Sequence, residues 1–292
     1  MMPASSLRAS DYWTLTKPEV NLLIGVTTAA GFSLAGAGHG QGASISRLVH
    51  TVAGTLLVAS GTGTLNQLLE RHFDALMRRT AGRPVAAGRI APWQALVFGV
   101  VLASAGTLEL AAAVNRLSSV LALATMASYL LVYTPLKRKT PLCTLIGAIP
   151  GAAPPLIGWA GARGALGAEA WVLYAMVFLW QFPHFMAIAW MYREDYRRAG
   201  YRVLPRNETV VPFVLCQAMI PLLLLVPLSV MPVLFGRAGP VYLVTAFALG
   251  AAFIYRADRL AVDQSNAMAR QLLLTSIVYL PLIFIALIVD RA

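Results

Sequence analysis

Asn66, Glu70 and Asp74 recur at intervals of four in the stretch NQLLERHFD. On a helix, each step of four turns the side chain by about 40° and carries it about 6 Å along the axis, so all three lie on one stripe. An amide oxygen and two carboxylates form an all-oxygen surface. That donor set suits a hard cation such as Mg²⁺, above all where substrate phosphates complete the coordination shell. A frayed, solvated helix end explains the stripe less well. Asn66 falls inside an apolar run, where an unpaired polar group is expensive, and the whole chain carries only 12 Asp and Glu. Behind the stripe come Arg78, Arg79, Arg83 and Arg89 in MRRTAGRPVAAGRI. Guanidinium forks match phosphate oxygens, so this run reads as a diphosphate cradle, with Arg78 and Arg83 as the expected contacts. Membrane topology accounts for one or two of the other arginines.

A second set lies in WQFPHFMAIAWMYREDYRRAGYRVLP, where Glu194 and Asp195 are followed by Arg197, Arg198 and Arg202. His184 stands eleven residues before Asp195, three turns back on nearly the same face of a continuous helix, which aims it at the second acidic site. A lone histidine in a helix is as readily a hydrogen-bonded core residue as a ligand or base, and the residues leave both readings open. Between the two sets, YTPLKRKTPL carries Lys137, Arg138 and Lys139. Lysine is a competent phosphate partner as a point charge, although these charges also serve as a topology anchor. Two acidic patches with cations between them and apolar helices below fit an isoprenyl diphosphate. Mg²⁺ and cationic side chains would neutralise the diphosphate as it leaves, and the bundle interior would house the tail.

The elements that must hold these residues are set by composition. The 292 residues are 58% hydrophobic and 12% charged, about half the charge of a soluble domain. Mean hydropathy is +0.69. The bilayer is therefore the solvent and a partner of much of the chain. The net charge of +11 would suggest nucleic acid in a soluble protein. Here the basic residues sit in short loops between apolar runs, so topology and anionic headgroups explain them and no nucleic-acid partner is expected. Nine segments of near-spanning length fall at roughly 20–38, 48–69, 91–114, 117–134, 142–162, 169–190, 211–235, 239–255 and 269–289. The fold class is thus all-α integral membrane, a nine-transmembrane-helix bundle in one domain over 1–292. The N-terminus and the even-numbered loops hold 18 of the 23 Lys and Arg, which places the N-terminus in the cytoplasm and the C-terminus outside. Charged loops recurring four helices apart suggest a four-helix pseudo-repeat, about 20–134 and 142–255, followed by a ninth helix. The first nineteen residues have no apolar core of a signal peptide and too little Arg for a mitochondrial presequence. Cys143 and Cys216 lack metal-type spacing and read as small buried hydrophobes. A transporter would place its polar groups near the midplane on broken helices, whereas these cluster toward the cytoplasmic ends.

The Asn-x-x-x-acid-x-x-x-Asp stripe on nine helices resembles the UbiA superfamily of intramembrane prenyltransferases. NQLLERHFDALMRRTAGRP, YTPLKRKT, PHFMAIAWMYREDYRRAGYRVLP and the TKPEVN stretch before the first span carry the likeness, over residues ~15–290. They are most similar to the branch that farnesylates heme. The resemblance implies a UbiA-type fold in a bacterial inner membrane and Mg²⁺-assisted transfer of farnesyl from farnesyl diphosphate to a vinyl group of heme B. The product would be heme O, on the route to heme A, with a heme A synthase as a partner. Asn66, Glu70 and Asp74 match the first metal and diphosphate motif, Asp195 the second, and Lys137 and Arg138 the diphosphate-contacting loop. Arg202 is counted with the diphosphate contacts; no motif carries the heme contacts, and His184 is counted with the catalytic set as a hypothesis for the heme side. The chain departs from the pattern twice. Glu70 stands where many members have Asp, and Ala199 interrupts a second Asp-x-x-x-Asp, which leaves the number of Mg²⁺ ions open. A sister enzyme acting on an aromatic acid or a chlorin is the nearest rival reading.

Overall fold

A computed structural model describes residues 9–36, 44–205 and 210–291, all helix and loop without strands. Among these residues, nine helices or helix pairs are long and apolar enough to cross a bilayer, matching the nine expected segments. The exterior is apolar: Leu22, Leu108, Leu131 and Val244 are each more than 65% exposed. In water that surface would be a liability, and in lipid it is the solvated face. The protein is a multi-pass membrane protein. Arg8 and Arg206, both counted in the charge asymmetry, lie outside the described residues, as do positions 37–38 of the first expected segment.

A short helix α1 (Ala9–Leu15) precedes the first span, α2 (Pro18–Gly36). Between them Lys17 takes φ 54°, a left-handed conformation uncommon for a residue with a side chain. The second span, α3 (Ile45–Asp74), runs five residues beyond the expected end. Its last turns therefore carry Glu70 and Asp74 on the helix itself. Next come α4 (Pro92–Glu109), continued by a π turn over Leu110–Val114, and α5 (Arg116–Ala127). Asn115 caps α5, its side chain accepting from Ser118 N at 2.9 Å, which stabilises the expected tight hairpin. A second π segment, Ser128–Tyr133, and the single turn α6 (Thr134–Leu136) complete the fourth span.

The fifth span is broken into α7 (Cys143–Gly151) and α8 (Pro154–Arg163) where Pro154 ends one ladder and opens the next. α2 crosses α8 at backbone contact. A Cβ on Gly158 would stand 1.9 Å from the Thr28 carbonyl oxygen, and one on Gly31 would stand 2.3 Å from that of Pro155. This is the small-residue crossing by which membrane helices associate.

The sixth span, α9 (Ala168–Met191), packs on α11 (Val210–Leu228) and on the last span, α14 (Asn266–Val289). Tyr192 breaks it at φ −109° and ψ 21°, and the short α10 (Arg193–Arg198) starts in a new direction. After α11, α12 (Met231–Leu234) ends the seventh span. The eighth, α13 (Pro240–Asp263), extends eight residues past the expected end, and on this extension Arg256 donates to Gln271 and Arg259 to Asp263. The main core lies among α2, α9, α11, α13 and α14, around Trp180, Tyr242, Phe253 and Tyr279. Cys143 is buried as expected, but Cys216 faces outward from α11, which corrects its reading as a core residue.

Candidate active site

The stripe on α3 is intact and almost sealed: Asn66 is 1% exposed, Glu70 6% and Asp74 1%. Each member meets a cation from a different part of the chain. Lys17 Nζ donates to Asn66 Oδ1 at 2.9 Å, while Asn66 Nδ2 donates to Thr134 Oγ1 at 3.2 Å. Lys137 Nζ donates to both Glu70 oxygens, at 2.9 and 3.1 Å, and the Tyr201 hydroxyl donates to Glu70 Oε1 at 2.9 Å. Arg83 straddles Asp74, reaching both oxygens at 2.8 Å. Two buried carboxylates are thus each paired with a cation, and Lys17 rests on the neutral amide oxygen of Asn66, so the compact cluster carries more basic than acidic groups.

Local structure explains how the cations arrive. The π segment widens the turn before Lys137 and brings Tyr129 and Tyr133 beside it, with the ammonium 4.6 Å from the Tyr133 ring centroid. Burial works against the Lys137 charge, but Tyr133 and Glu70 outweigh it and hold the ammonium well above its usual range. Lys17 is pushed the other way. Burial, then the charges of Arg83 and Lys137, lower it to about 7. Burial and Glu70 raise the Tyr201 phenol far beyond neutral pH, so it remains a donor. The segment after α10 closes the site from above, with Arg202 N donating to the Lys137 carbonyl oxygen at 2.7 Å.

The second acidic set joins through one residue. Asp195 is 7% exposed and its Oδ2 accepts from Arg79 N at 3.2 Å, so the loop after α3 and α10 meet there. Arg198 stands 3.4 Å from its other oxygen. Glu194 instead pairs with Arg197 at the exposed surface, 2.6 Å apart. Among the described residues Arg78, Arg138 and Arg202 make no side-chain ion pair, and the Arg138 guanidinium rests 4.2 Å over the Phe73 ring centroid. Arg79 stacks over Tyr192 and Arg89 pairs with Asp11 at 2.9 Å, so these two fasten the loop.

His184 does not do what its spacing suggested. The break at Tyr192 ends the helical register, and the imidazole turns to α14, where Nδ1 lies 2.8 Å from Ser276 Oγ. The sequence reading also missed Lys17 and Tyr201. Lys17 is one of only three lysines in the chain, a scarcity that could have drawn attention to it. Tyr201 left no such signal, since its role depends on a chain reversal 131 residues from Glu70.

No set of three Asp, Glu, His or Cys among the described residues is gathered closely enough to cage a metal. The donors Asn66, Glu70, Asp74 and Asp195 nonetheless fit Mg²⁺ by type. Hard oxygens supplied one or two at a time, with substrate phosphates supplying the rest, are the usual Mg²⁺ arrangement.

Among the described residues, a bundle of nine candidate spans thus carries a buried cluster of acids and bases at one end of α3. The model of the UbiA prenyltransferase family matches residues 24–288. A protoheme IX farnesyltransferase of Solibacter usitatus is 47% identical over 96% of this chain and 98% of its own length. One from Koribacter versatilis is 41% identical over 99% and 94%. Among solved structures, that of a digeranylgeranylglyceryl phosphate synthase superposes with a TM-score of 0.76 at 17% identity, covering 96% of this chain and 97% of that one. A UbiA homologue from Archaeoglobus fulgidus bound to geranyl diphosphate and Mg²⁺ superposes at 0.59 with 16% identity, over 95% and 99%. The chain belongs to the UbiA prenyltransferase family. It is a prenyltransferase enzyme of the membrane.

Proposed function

We propose that this enzyme transfers a farnesyl group from farnesyl diphosphate to a vinyl group of heme B, giving heme O. The observation that carries the acceptor is near-full-length identity of 47% to a relative bearing that activity in its name. The donor half is supported by the cluster on α3. Lys137, Arg83 and Lys17 would turn to the diphosphate oxygens, and Arg138, Arg78 and Arg202, which make no ion pair among the described residues, would add to them. Mg²⁺, held by Asn66, Glu70, Asp74 and Asp195 together with the diphosphate, would supply Lewis-acid neutralisation of the departing charge. Tyr201 keeps Glu70 oriented, and the buried setting excludes bulk water from the allylic carbon.

The C–O bond to the diphosphate breaks with both electrons leaving on oxygen. The resulting allylic cation is attacked by the terminal vinyl carbon of the porphyrin. Water then adds to the ring-side carbon and loses a proton, leaving a hydroxyethylfarnesyl chain, diphosphate and H⁺. We place the chain in a bacterial inner membrane with its N-terminus cytoplasmic and its C-terminus periplasmic, from the loop charges. A heme A synthase would take up the product.

The test is to supply heme B and farnesyl diphosphate to membranes containing the protein, with and without Mg²⁺, and to read the porphyrins by mass. Heme O is expected only with both substrates and Mg²⁺. Unchanged heme B in the complete mixture would remove the acceptor assignment. Turnover of an aromatic acid instead would favour the sister reading.

A further inference from the structure

His184 lies in the middle of α9, seven residues from its end, and the reaction described above leaves it without a task. Its ring is fixed on two sides. Trp180, one turn earlier, lies nearly parallel to it, with centroids 4.9 Å apart and planes 25° from each other. Trp180 is itself tied to α14, its Nε1 donating to the Ser276 carbonyl oxygen at 2.8 Å. On the other side Nδ1 lies 2.8 Å from Ser276 Oγ.

The serine decides the tautomer. Ser276 Oγ is 2.5 Å from the Leu273 carbonyl oxygen, which can only accept, so the single hydroxyl proton points there. Toward His184 the hydroxyl can therefore only accept, and Nδ1 must carry the proton. Nε2 is left with its lone pair, and among the described residues it has no hydrogen-bond partner. Nor is it sealed away, since the ring is half-buried and Nε2 is not among the enclosed, partnerless atoms. A neutral imidazole with Nδ1–H held by a fixed acceptor and Nε2 open is the arrangement proteins use to present histidine to a metal.

A proton-transfer role fits less well. A base would become an imidazolium within a membrane span. The side chains touching it, Trp180, Phe185 and Ser276, offer no negative charge to pair with it. Coordination of a metal needs no such charge. We infer that His184 Nε2 is the axial ligand to the iron of the heme acceptor, with Ser276 and Trp180 as positioning residues. The inference rests on the proposed function, which supplies a substrate whose iron takes neutral imidazole.

The experiment uses the full chain in lipid nanodiscs, with heme B titrated in and read by the ferrous iron–imidazole stretch in resonance Raman. Transfer to farnesyl diphosphate is followed in the same preparation. The wild type is expected to show the stretch. His184→Gly should lose it and regain it on addition of imidazole, which also reports that the variant is folded. The heme KM should rise at least tenfold in His184→Gly, with the farnesyl diphosphate KM unchanged. Ser276→Ala should weaken heme binding roughly tenfold, the effect of losing a ligand's outer hydrogen bond. If heme O forms but the stretch is absent from the wild type, or persists in His184→Gly without imidazole, the inference is overturned while the proposed function stands. If the wild type neither binds heme B nor makes heme O, both fall together.

Discussion

Replacing Lys137 by Met removes the one ammonium that meets both Glu70 oxygens, at 2.9 and 3.1 Å, and keeps the bulk of the side chain. The Glu70 side chain is 7% exposed and Lys137 14%, so solvent screens the pair little. Glu70 would keep only the Tyr201 hydroxyl. Breaking such a buried pair from one side costs about 3–5 kcal/mol, because a charge is left uncompensated. The thermal midpoint in detergent should drop by roughly 10 °C. Turnover should fall about 100- to 1,000-fold, the effect of losing one preorganised partner of the leaving group. The double variant Lys137→Met with Glu70→Gln separates the two consequences. With neither charge present, stability should return to within about 1 kcal/mol of wild type, while activity stays lost. Thermal unfolding by intrinsic fluorescence and farnesyl-transfer rates on the same preparations read both. A single variant that keeps its midpoint within about 2 °C and its rate within about threefold would refute the reasoning. So would a double variant that regains activity.

Three further outcomes follow from the same geometry. Tyr201→Phe deletes one hydrogen bond to a buried carboxylate and leaves Lys137 in place, so unfolding should report a loss of about 1.5–3 kcal/mol. Arg138→Ala should raise the KM for farnesyl diphosphate about tenfold and lower the thermal midpoint by no more than about 3 °C, since Arg138 forms no ion pair among the described residues and loses only its stacking on Phe73. Gly158→Leu should force α8 away from α2, where even a Cβ would stand 1.9 Å from the Thr28 carbonyl. Overpacking of this kind costs about 1–3 kcal/mol or more, and size-exclusion profiles in detergent should show the loss of folded protein.

The stripe was legible in the sequence because it lies on one unbroken helix, where spacing alone fixes the direction of Asn66, Glu70 and Asp74. Lys137 and Arg83 were legible as types, since phosphate chemistry calls for them, but their partners were not. Which cation meets which carboxylate depends on the π segment before Lys137 and on the reversal that brings Tyr201 back to Glu70. His184 shows where periodicity stops being informative. Its alignment with Asp195 assumed a continuous helix, and Tyr192 ends that helix four residues after Ile188, whose carbonyl still accepts from the Tyr192 amide. The helix ends misjudged at α3 and α13 share a cause. Hydropathy falls where the chain leaves the hydrocarbon, while the backbone hydrogen bonds run on into the interface.

The central claim is that the α3 cluster is where a prenyl diphosphate and Mg²⁺ meet. The most direct measurement is the rate of diphosphate release from farnesyl diphosphate, in the presence of acceptor, as Mg²⁺ is titrated into metal-stripped wild type and into Asp74→Ala. A saturable Mg²⁺ dependence in the wild type, lost in the variant at every concentration, is the predicted result. Full release by the metal-stripped wild type, or by Asp74→Ala, would contradict it.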